Sequence, residues 1–199
     1  EMISDGTLAL YEKGVITGKY KNFDKGKMTV TFLMGSKKLY DFAHENPVVE
    51  VRTVDYVNHP AVIMKQHKMI SINSAIQVDL QGQVVAEAMG LRQFSGVGGQ
   101  VDFIRGVAMG DDGKAIIAMP SITTKRDGTM ISKIVPFVDL GAPITTSRND
   151  VDYVITEYGI APLKGKSLRE RARNLINISH PSAREELEAE FEKRFHEKF

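Results

Sequence analysis

Hydrophobic and polar positions follow two patterns in the first part of the chain, one typical of strands and one typical of helices. Residues 27–33 are rich in β-branched and apolar side chains, which is typical of a strand. Apolar residues then recur at helical spacing from the turn at Ser36 as far as Ala43. Pro47 closes this segment, and residues 48–52 again favour a strand. Strand, turn, helix and strand in this order predict an α/β unit.

Alternating apolar and polar residues in the middle of the chain predict two antiparallel pairs of strands. Residues 75–80 turn into residues 84–86 as a hairpin, and residues 115–119 pair with residues 130–135. Residues 151–156 form one more strand. The expected fold class is therefore α/β with a mixed sheet, parallel in its αβ portion, antiparallel at the hairpins and covered by helices.

Capping signals mark where several helices begin. The amino-terminal residue of a helix commonly accepts a hydrogen bond from the backbone, and proline suits the first turn. These signals stand at Ser4 or Asp5, at Pro60, at Ser167 with Glu170, and at Ser182 with Glu185. The last two pairs have the serine and glutamate of a capping box, so two charged helices are expected to end the chain.

Composition excludes several classes of protein. The 199 residues are 42% hydrophobic, enough for one substantial core, and 26 basic residues balance 25 acidic ones. This near-neutral net charge creates no overall electrostatic field that would attract nucleic acid or an anionic membrane. No apolar run approaches the roughly 18 residues of a membrane span. Because cysteine is absent, disulfides, thiolate metal sites and a cysteine nucleophile are excluded.

The densest group of glycines lies in residues 94–106, where a glycine-rich loop runs into a helix-compatible segment. Glycines let the backbone approach a ligand, and free N–H groups at a helix start suit anionic or carbonyl oxygens. A tight turn before a packed helix explains the same glycines. A dinucleotide fingerprint would need glycine at Val101, and a phosphate-binding P-loop would need Gly-Lys-Ser/Thr at residues 99–101. Neither motif is present.

Other familiar catalytic groups are missing from the sequence. No two of the five histidines have the spacing of zinc ligands, so no metal site is expected. Ser95 is not a nucleophile of the Gly-x-Ser-x-Gly type, because Gln93 stands where that motif has glycine. The residues alone therefore lead to an α/β domain with a loop that a ligand can approach.

Several blocks taken together resemble the carboxy-terminal domain of the acetyl-CoA hydrolase/transferase family. The blocks are residues 1–6 (EMISDG), 57–60 (VNHP), 71–83 (SINSAIQVDLQGQ), 95–103 (SGVGGQVDF) and 156–161 (TEYGIA). The resemblance covers essentially residues 1–199, and five blocks in the family's order are far more specific than the glycine loop alone. It implies an open three-layer α/β/α domain, with the amino-terminal domain of the family lying outside this chain.

The resemblance also implies an activity, the transfer of coenzyme A between carboxylic acids by a ping-pong mechanism. Glu1 matches the family's nucleophile and would form a glutamyl-CoA thioester, and Asn58 matches the amide-bearing residue that faces it. The loop matches the family's CoA-binding loop at Gly96, Val97, Gly98 and Gly99. A disordered terminal glutamate and a cap for the helix after Pro60 are the structural alternatives for Glu1 and Asn58.

The implied substrates are an acyl-CoA, such as 4-hydroxybutyryl-, butyryl- or acetyl-CoA, and a short carboxylic acid such as acetate. CoA is thus a substrate, and no permanently bound cofactor is expected. The family also implies an amino-terminal domain as partner, a homo-oligomer, a cytoplasmic location, and little activity for these residues alone. An acyl-CoA hydrolase and a non-enzymatic CoA- or nucleotide-sensing domain remain alternatives, because both would share these motifs.

Overall fold

A computed structural model describes all residues, 1–199, and divides them into two compact units. The first unit comprises residues 1–69 and 105–113, and the second comprises residues 70–104 and 114–199. The chain passes between the units three times, after Met69, after Ile104 within the helix Gln100–Met109, and after Gly113. No linker composition in the sequence marks these boundaries.

The first unit alternates short strands with helices, as the sequence predicts. Its elements are β1 (Met2–Ile3), α1 (Asp5–Glu12), β2 (Met28–Val30), β3 (Phe32–Leu33), α2 (Lys37–Ala43), β4 (Val49–Val51), α3 (Val54–Val57) and α4 (Pro60–Ile63). Strand β2 pairs with β4 and β1 pairs with β3, both in parallel. The strand expected at residues 27–33 is therefore two strands with different partners.

A small core explains why these elements pack together. Its buried members are Ile3, Leu8, Met28, Val30 and Leu39, which come from β1, α1, β2 and α2. Helix α1 begins after Ser4, as its capping signal predicts, and α2 begins after Ser36, whose hydroxyl donates to Asp5 Oδ1 and does not cap the helix. Burial of these apolar side chains stabilises the packing of the helices against the strands in this unit.

The second unit holds most of the β-structure. Its strands are β5 (Ile70–Asn73), β6 (Gln77–Asp79), β7 (Val84–Val85), β8 (Ala88–Met89), β9 (Arg92–Gln93), β10 (Lys114–Ala118), β11 (Ile122–Thr124), β12 (Met130–Ser132), β13 (Ile134–Val135), β14 (Tyr153–Thr156) and β15 (Gly159–Pro162). Its helices are α6 (Leu168–Asn177) and α7 (Pro181–Phe195), and the shared helix Gln100–Met109 is α5.

The largest sheet is mixed, with strand order β15-β14-β10-β5. Strand β10 runs parallel to both neighbours, so that Ile117 lies opposite Asn73 on one side and Val154 on the other. Strand β15 is antiparallel to β14. The α/β class with parallel and antiparallel pairing is confirmed, although the strands are distributed over several small sheets.

The expected pairing of residues 115–119 with residues 130–135 is wrong. The turn at Gly128, where φ is +85°, instead joins β11 to β12. Strand β10 precedes that hairpin and is occupied on both edges by parallel partners distant in the sequence. A local turn signal identified the hairpin correctly but assigned it the wrong first strand.

The two terminal helices are confirmed, but one predicted cap is not. Helix α6 has the capping box of Ser167 and Glu170. Helix α7 is capped by His180, whose Nδ1 accepts the backbone N–H of Ser182, so Ser182 lies inside the helix. Pro181 occupies the first helical position, which makes the residue before it the cap.

Candidate active site

Glu1 is fixed at the start of the first unit rather than left as a loose terminus. The parallel pairing of β1 with β3 brings it beside Thr31. The Glu1 carbonyl accepts the backbone N–H of Thr31 at 2.7 Å and its hydroxyl at 3.2 Å. The side chain is half-buried. The structure therefore holds the backbone of the predicted nucleophile and gives its carboxylate a defined position.

Asn58 faces that carboxylate. It ends α3, where its backbone N–H donates to the Val54 carbonyl at 2.9 Å. The next helix is capped by the His59 ring, which accepts a backbone N–H, so the structural alternative in which Asn58 caps the helix after Pro60 is wrong. The amide of Asn58 is thus not used as a cap. Its Nδ2 donates to Glu1 Oε1 at 2.7 Å, and the residue is only 6% exposed.

A network of polar side chains stands in the same unit and was missed at the sequence level. Asp24 Oδ2 accepts the hydroxyls of Thr29 and Tyr56, and Lys21 donates to the Thr29 hydroxyl at 3.0 Å. Burial lowers the pKa of Lys21, and it also raises the pKa of Tyr56, with a smaller effect from the bond to Asp24. Arg52 stacks over the Tyr56 ring. These residues lack any spacing motif, so only the tertiary structure shows that they meet.

The glycine loop belongs to the second unit, where it follows the β8–β9 hairpin. The carbonyl of Glu87 accepts the backbone N–H groups of Phe94 and Ser95 at 2.7 and 3.1 Å. The carbonyl of Gly99 accepts the N–H of Phe103 at 3.0 Å and so begins α5. The loop is therefore anchored at both ends, by the hairpin and by the helix.

Between those anchors the loop is open. Gly96, Val97 and Gly98 are exposed, and a Cβ added at Gly96 or Gly98 would meet no atom within 4 Å. Gly98 has φ of +64°, a conformation that glycine adopts without strain. The N–H groups of Val97 and Gly98 make no hydrogen bond within the chain. These groups are available to a ligand, whereas Gly99 is buried at the helix start.

A second carboxylate, that of Glu157, is held by hydrogen bonds near the carboxyl ends of β10 and β14. Ser121 is fully buried, and its backbone N–H donates to Glu157 Oε2 at 2.9 Å while its hydroxyl donates to Oε1. The hydrogen bond from the Ser121 hydroxyl is the main reason why the pKa of Glu157 is lowered. Glu157 lies in one of the resembling blocks, but no sequence motif links it to Ser121.

The structure shows no group of three or more histidine, cysteine, aspartate or glutamate side chains that could hold a metal ion. None of its helices combines the length and the apolar character needed to cross a membrane.

Comparison with known proteins gives these groups a context. Residues 35–191 match the model of the acetyl-CoA hydrolase/transferase C-terminal domain. The chain is 62% identical over 98% of its length to a 4-hydroxybutyrate coenzyme A transferase of Clostridium kluyveri, of which it covers 45%. It is 41% identical over 97% of its length to a butyryl-CoA:acetate CoA-transferase of Anaerostipes caccae, covering 43% of that protein. An acetyl-CoA hydrolase of Yarrowia lipolytica is more distant: it is 31% identical over 96% of this chain, which covers 36% of that protein.

Solved structures agree with the sequence relatives. A 4-hydroxybutyrate CoA-transferase from Porphyromonas gingivalis matches with a TM-score of 0.81 and 44% identity, over 98% of this chain and 44% of that one. The protein is a member of the acetyl-CoA hydrolase/transferase family, and its residues 35–191 match the C-terminal domain of that family. The chain spans somewhat less than half the length of the curated relatives that it matches.

Proposed function

We propose that the protein is an acyl-CoA:carboxylate CoA-transferase in which Glu1 is the nucleophile. A carboxylate oxygen of Glu1 attacks the thioester carbon and the CoA thiolate leaves, which gives a mixed anhydride. The thiolate then attacks Cδ of Glu1, the side-chain carbon of the anhydride, and releases the first acid as its carboxylate. The second acid reverses these steps on the resulting glutamyl-CoA thioester. Each covalent step conserves an activated acyl group, provided that water is excluded.

Asn58 supports this chemistry through its Nδ2. The 2.7 Å hydrogen bond fixes one oxygen of Glu1, and no hydrogen bond within the chain occupies the other, Oε2. One oxygen is thus held while the other is free to attack. After attack, the same N–H can stabilise charge on the held oxygen, an effect worth most in a site that excludes water.

The glycine loop is proposed to contact CoA through its backbone. The free N–H groups of Val97 and Gly98 suit carbonyl or phosphate oxygens of the substrate. The open space beside Gly96 and Gly98 lets such an oxygen approach without meeting a side chain. Gly99 would serve by starting α5 in the right place.

The observation that carries the proposal is the Asn58–Glu1 hydrogen bond, and trapping the covalent intermediate tests it. Full-length protein incubated with acyl-CoA and no acceptor acid should accumulate a CoA adduct on the peptide containing Glu1, found by mass spectrometry of a digest. Glu12, exposed on α1 and paired with Lys38, offers a control: Glu12→Gln should keep the adduct. An adduct on Glu87 or Asp79 instead would assign the nucleophile elsewhere and contradict the proposal.

A hydrolase is the second candidate, because relatives named acetyl-CoA hydrolases also match this chain, at lower identity. It would share the first covalent steps and differ by letting water reach the intermediate. Thioester loss that is independent of an added acid would favour the hydrolase. Loss that requires an acid, with formation of its CoA thioester, favours the transferase.

The remaining parts of the proposal concern the setting of the reaction. The relatives are more than twice as long as this chain, which supports an amino-terminal domain as partner. Self-association, a location in the cytoplasm and the choice among 4-hydroxybutyryl-, butyryl- and acetyl-CoA stay predictions. Gel filtration of the full-length protein and exchange assays with each acyl-CoA would check the first and the last.

A further inference from the structure

The oxygen of the Asn58 side chain has no hydrogen-bond partner. Oδ1 is buried and accepts nothing, although the residue is only 6% exposed. The orientation of the amide follows from its neighbour, since the Glu1 carboxylate accepts hydrogen bonds and must face the Nδ2 side. Buried acceptors are nearly always paired, so this one marks a place where a donor is missing.

No group of the chain donates to this oxygen. The backbone N–H of Asn58 already donates to the Val54 carbonyl. The Nδ1 of His59 accepts a hydrogen bond from Ala61, which leaves Nε2 as the donor of that ring, and Nε2 makes no bond to Oδ1. A donor for Oδ1 is therefore sought outside the chain, in a group that comes close to the Glu1 carboxylate.

The chemistry of the proposed reaction limits what that group can be, and the inference rests on the proposed function at this point. Carboxylate acids and the thioester carbonyl only accept hydrogen bonds. The donor common to every acyl-CoA near its sulfur is the first amide N–H of the pantetheine arm, two methylene groups away. A hydroxyl at the far end of one acid is absent from the others.

The dimensions agree. Oδ1 shares a carbon with Nδ2, which lies 2.7 Å from Glu1 Oε1, so Oδ1 is within a few bond lengths of the reacting carboxylate. In the glutamyl-CoA thioester the sulfur is bonded to Glu1 Cδ, and the amide nitrogen follows after two methylene groups. Both the pantetheine N–H and Asn58 Oδ1 are therefore separated from Glu1 Cδ by only a few atoms.

We propose that Asn58 Oδ1 accepts a hydrogen bond from the pantetheine amide nearest the sulfur. One side chain then holds the nucleophile through Nδ2 and the thiol carrier through Oδ1. The two contacts align the CoA sulfur with Cδ of Glu1. They make Asn58 a specificity-determining residue for the CoA arm. A carrier without this N–H leaves a buried acceptor unpaired, which is the situation in which binding sites discriminate most strongly.

The test compares two unreactive ligands on the full-length protein. One is an S-alkyl CoA thioether, and the other is the same thioether with the first amide replaced by an ester, which lacks the N–H. Calorimetry should show that the wild type binds the amide about tenfold more tightly or better. In Asn58→Ala the ratio of the two dissociation constants should fall close to one. Asn58→Ser, which is too short to reach, replaces the alanine variant if that variant does not fold.

Thr31→Val provides a matched control, because Thr31 holds the Glu1 carbonyl and not the Asn58 amide. It should keep the preference for the amide whatever it does to activity. Equal binding of the two ligands by the wild type, or a preference that persists in Asn58→Ala, would overturn the inference. Neither result would touch the proposed function, which fails separately if the wild type catalyses no acid-dependent exchange of CoA.

Discussion

Two glutamates from the resembling blocks, Glu1 and Glu157, have opposite surroundings. Both oxygens of Glu157 are engaged by Ser121, through its backbone N–H and its hydroxyl. Glu1 receives one hydrogen bond, from Asn58, on one oxygen. A carboxylate with both oxygens satisfied is part of the framework, whereas one with a free oxygen can still react. If Glu1 is the nucleophile, as proposed, the number of donors rather than the type of residue distinguishes the two glutamates.

The same distinction extends to the backbone. The N–H groups of Phe94 and Ser95 are used inside the chain, whereas those of Val97 and Gly98 are free. We therefore expect changes at unoccupied groups to alter activity, and changes at occupied groups to alter stability.

The largest effect is expected at the free oxygen of Glu1. Glu1→Gln keeps the shape of the side chain and replaces a nucleophile by an unreactive amide, so the rate of CoA exchange should fall by at least about a thousandfold. The thermal midpoint should change little, since only one hydrogen bond involves this carboxylate. Steady-state exchange and a thermal melt measure the two effects. Substantial exchange by the variant would give the nucleophilic role to another residue.

The next effect is expected at the glycine loop, where a side chain would occupy the ligand's space. Gly98→Val should lower the exchange rate by about a hundredfold, from lost approach together with strain at its positive φ. Gly96→Val separates the causes, because its Cβ meets nothing in the chain and its backbone needs no positive φ. It should lower the rate by about tenfold at unchanged stability, since one hydrogen bond to the ligand is disturbed.

Gly128 supplies the control for strain alone. It also has positive φ and open space beside it, in the exposed turn between β11 and β12. Gly128→Val should lower stability without a specific loss of exchange by the folded protein. If Gly96→Val and Gly128→Val have the same effect on exchange, the loop at residues 96–99 is only a structural turn.

Local signals predicted the local parts of the fold. Ser4 and Ser167 mark helix starts that the structure confirms, because a cap needs only the few residues around it. The cap of α7 shows how two local signals compete. Pro181 at the first helical position outweighs the serine and glutamate that follow, and the same His-Pro arrangement caps α4.

The parallel sheet could not be predicted in this way. Strand β10 pairs with β5 and β14, each separated from it by many residues, and no turn reveals such partners. The site shows the same limit. The resemblance placed Glu1 and Asn58 together, which the structure bears out as a contact, but the unpaired Oδ1 and the Ser121–Glu157 pair depend on geometry.

The smallest predicted effect concerns the occupied carboxylate. Ser121→Ala removes the hydroxyl that donates to Glu157 and should lower the free energy of unfolding by about 1 kcal/mol near neutral pH, because the glutamate is exposed and water replaces part of the bond. Because the pKa of Glu157 is lowered on folding from its ordinary 4.5, its contribution is complete above that value and is lost as the pH falls through the folded pKa. Urea unfolding of both proteins should therefore show a difference that shrinks as the medium becomes acidic. A difference that grows in acid, or a loss of exchange per folded molecule as large as that of Glu1→Gln, would show that Glu157 is not the framework carboxylate described here.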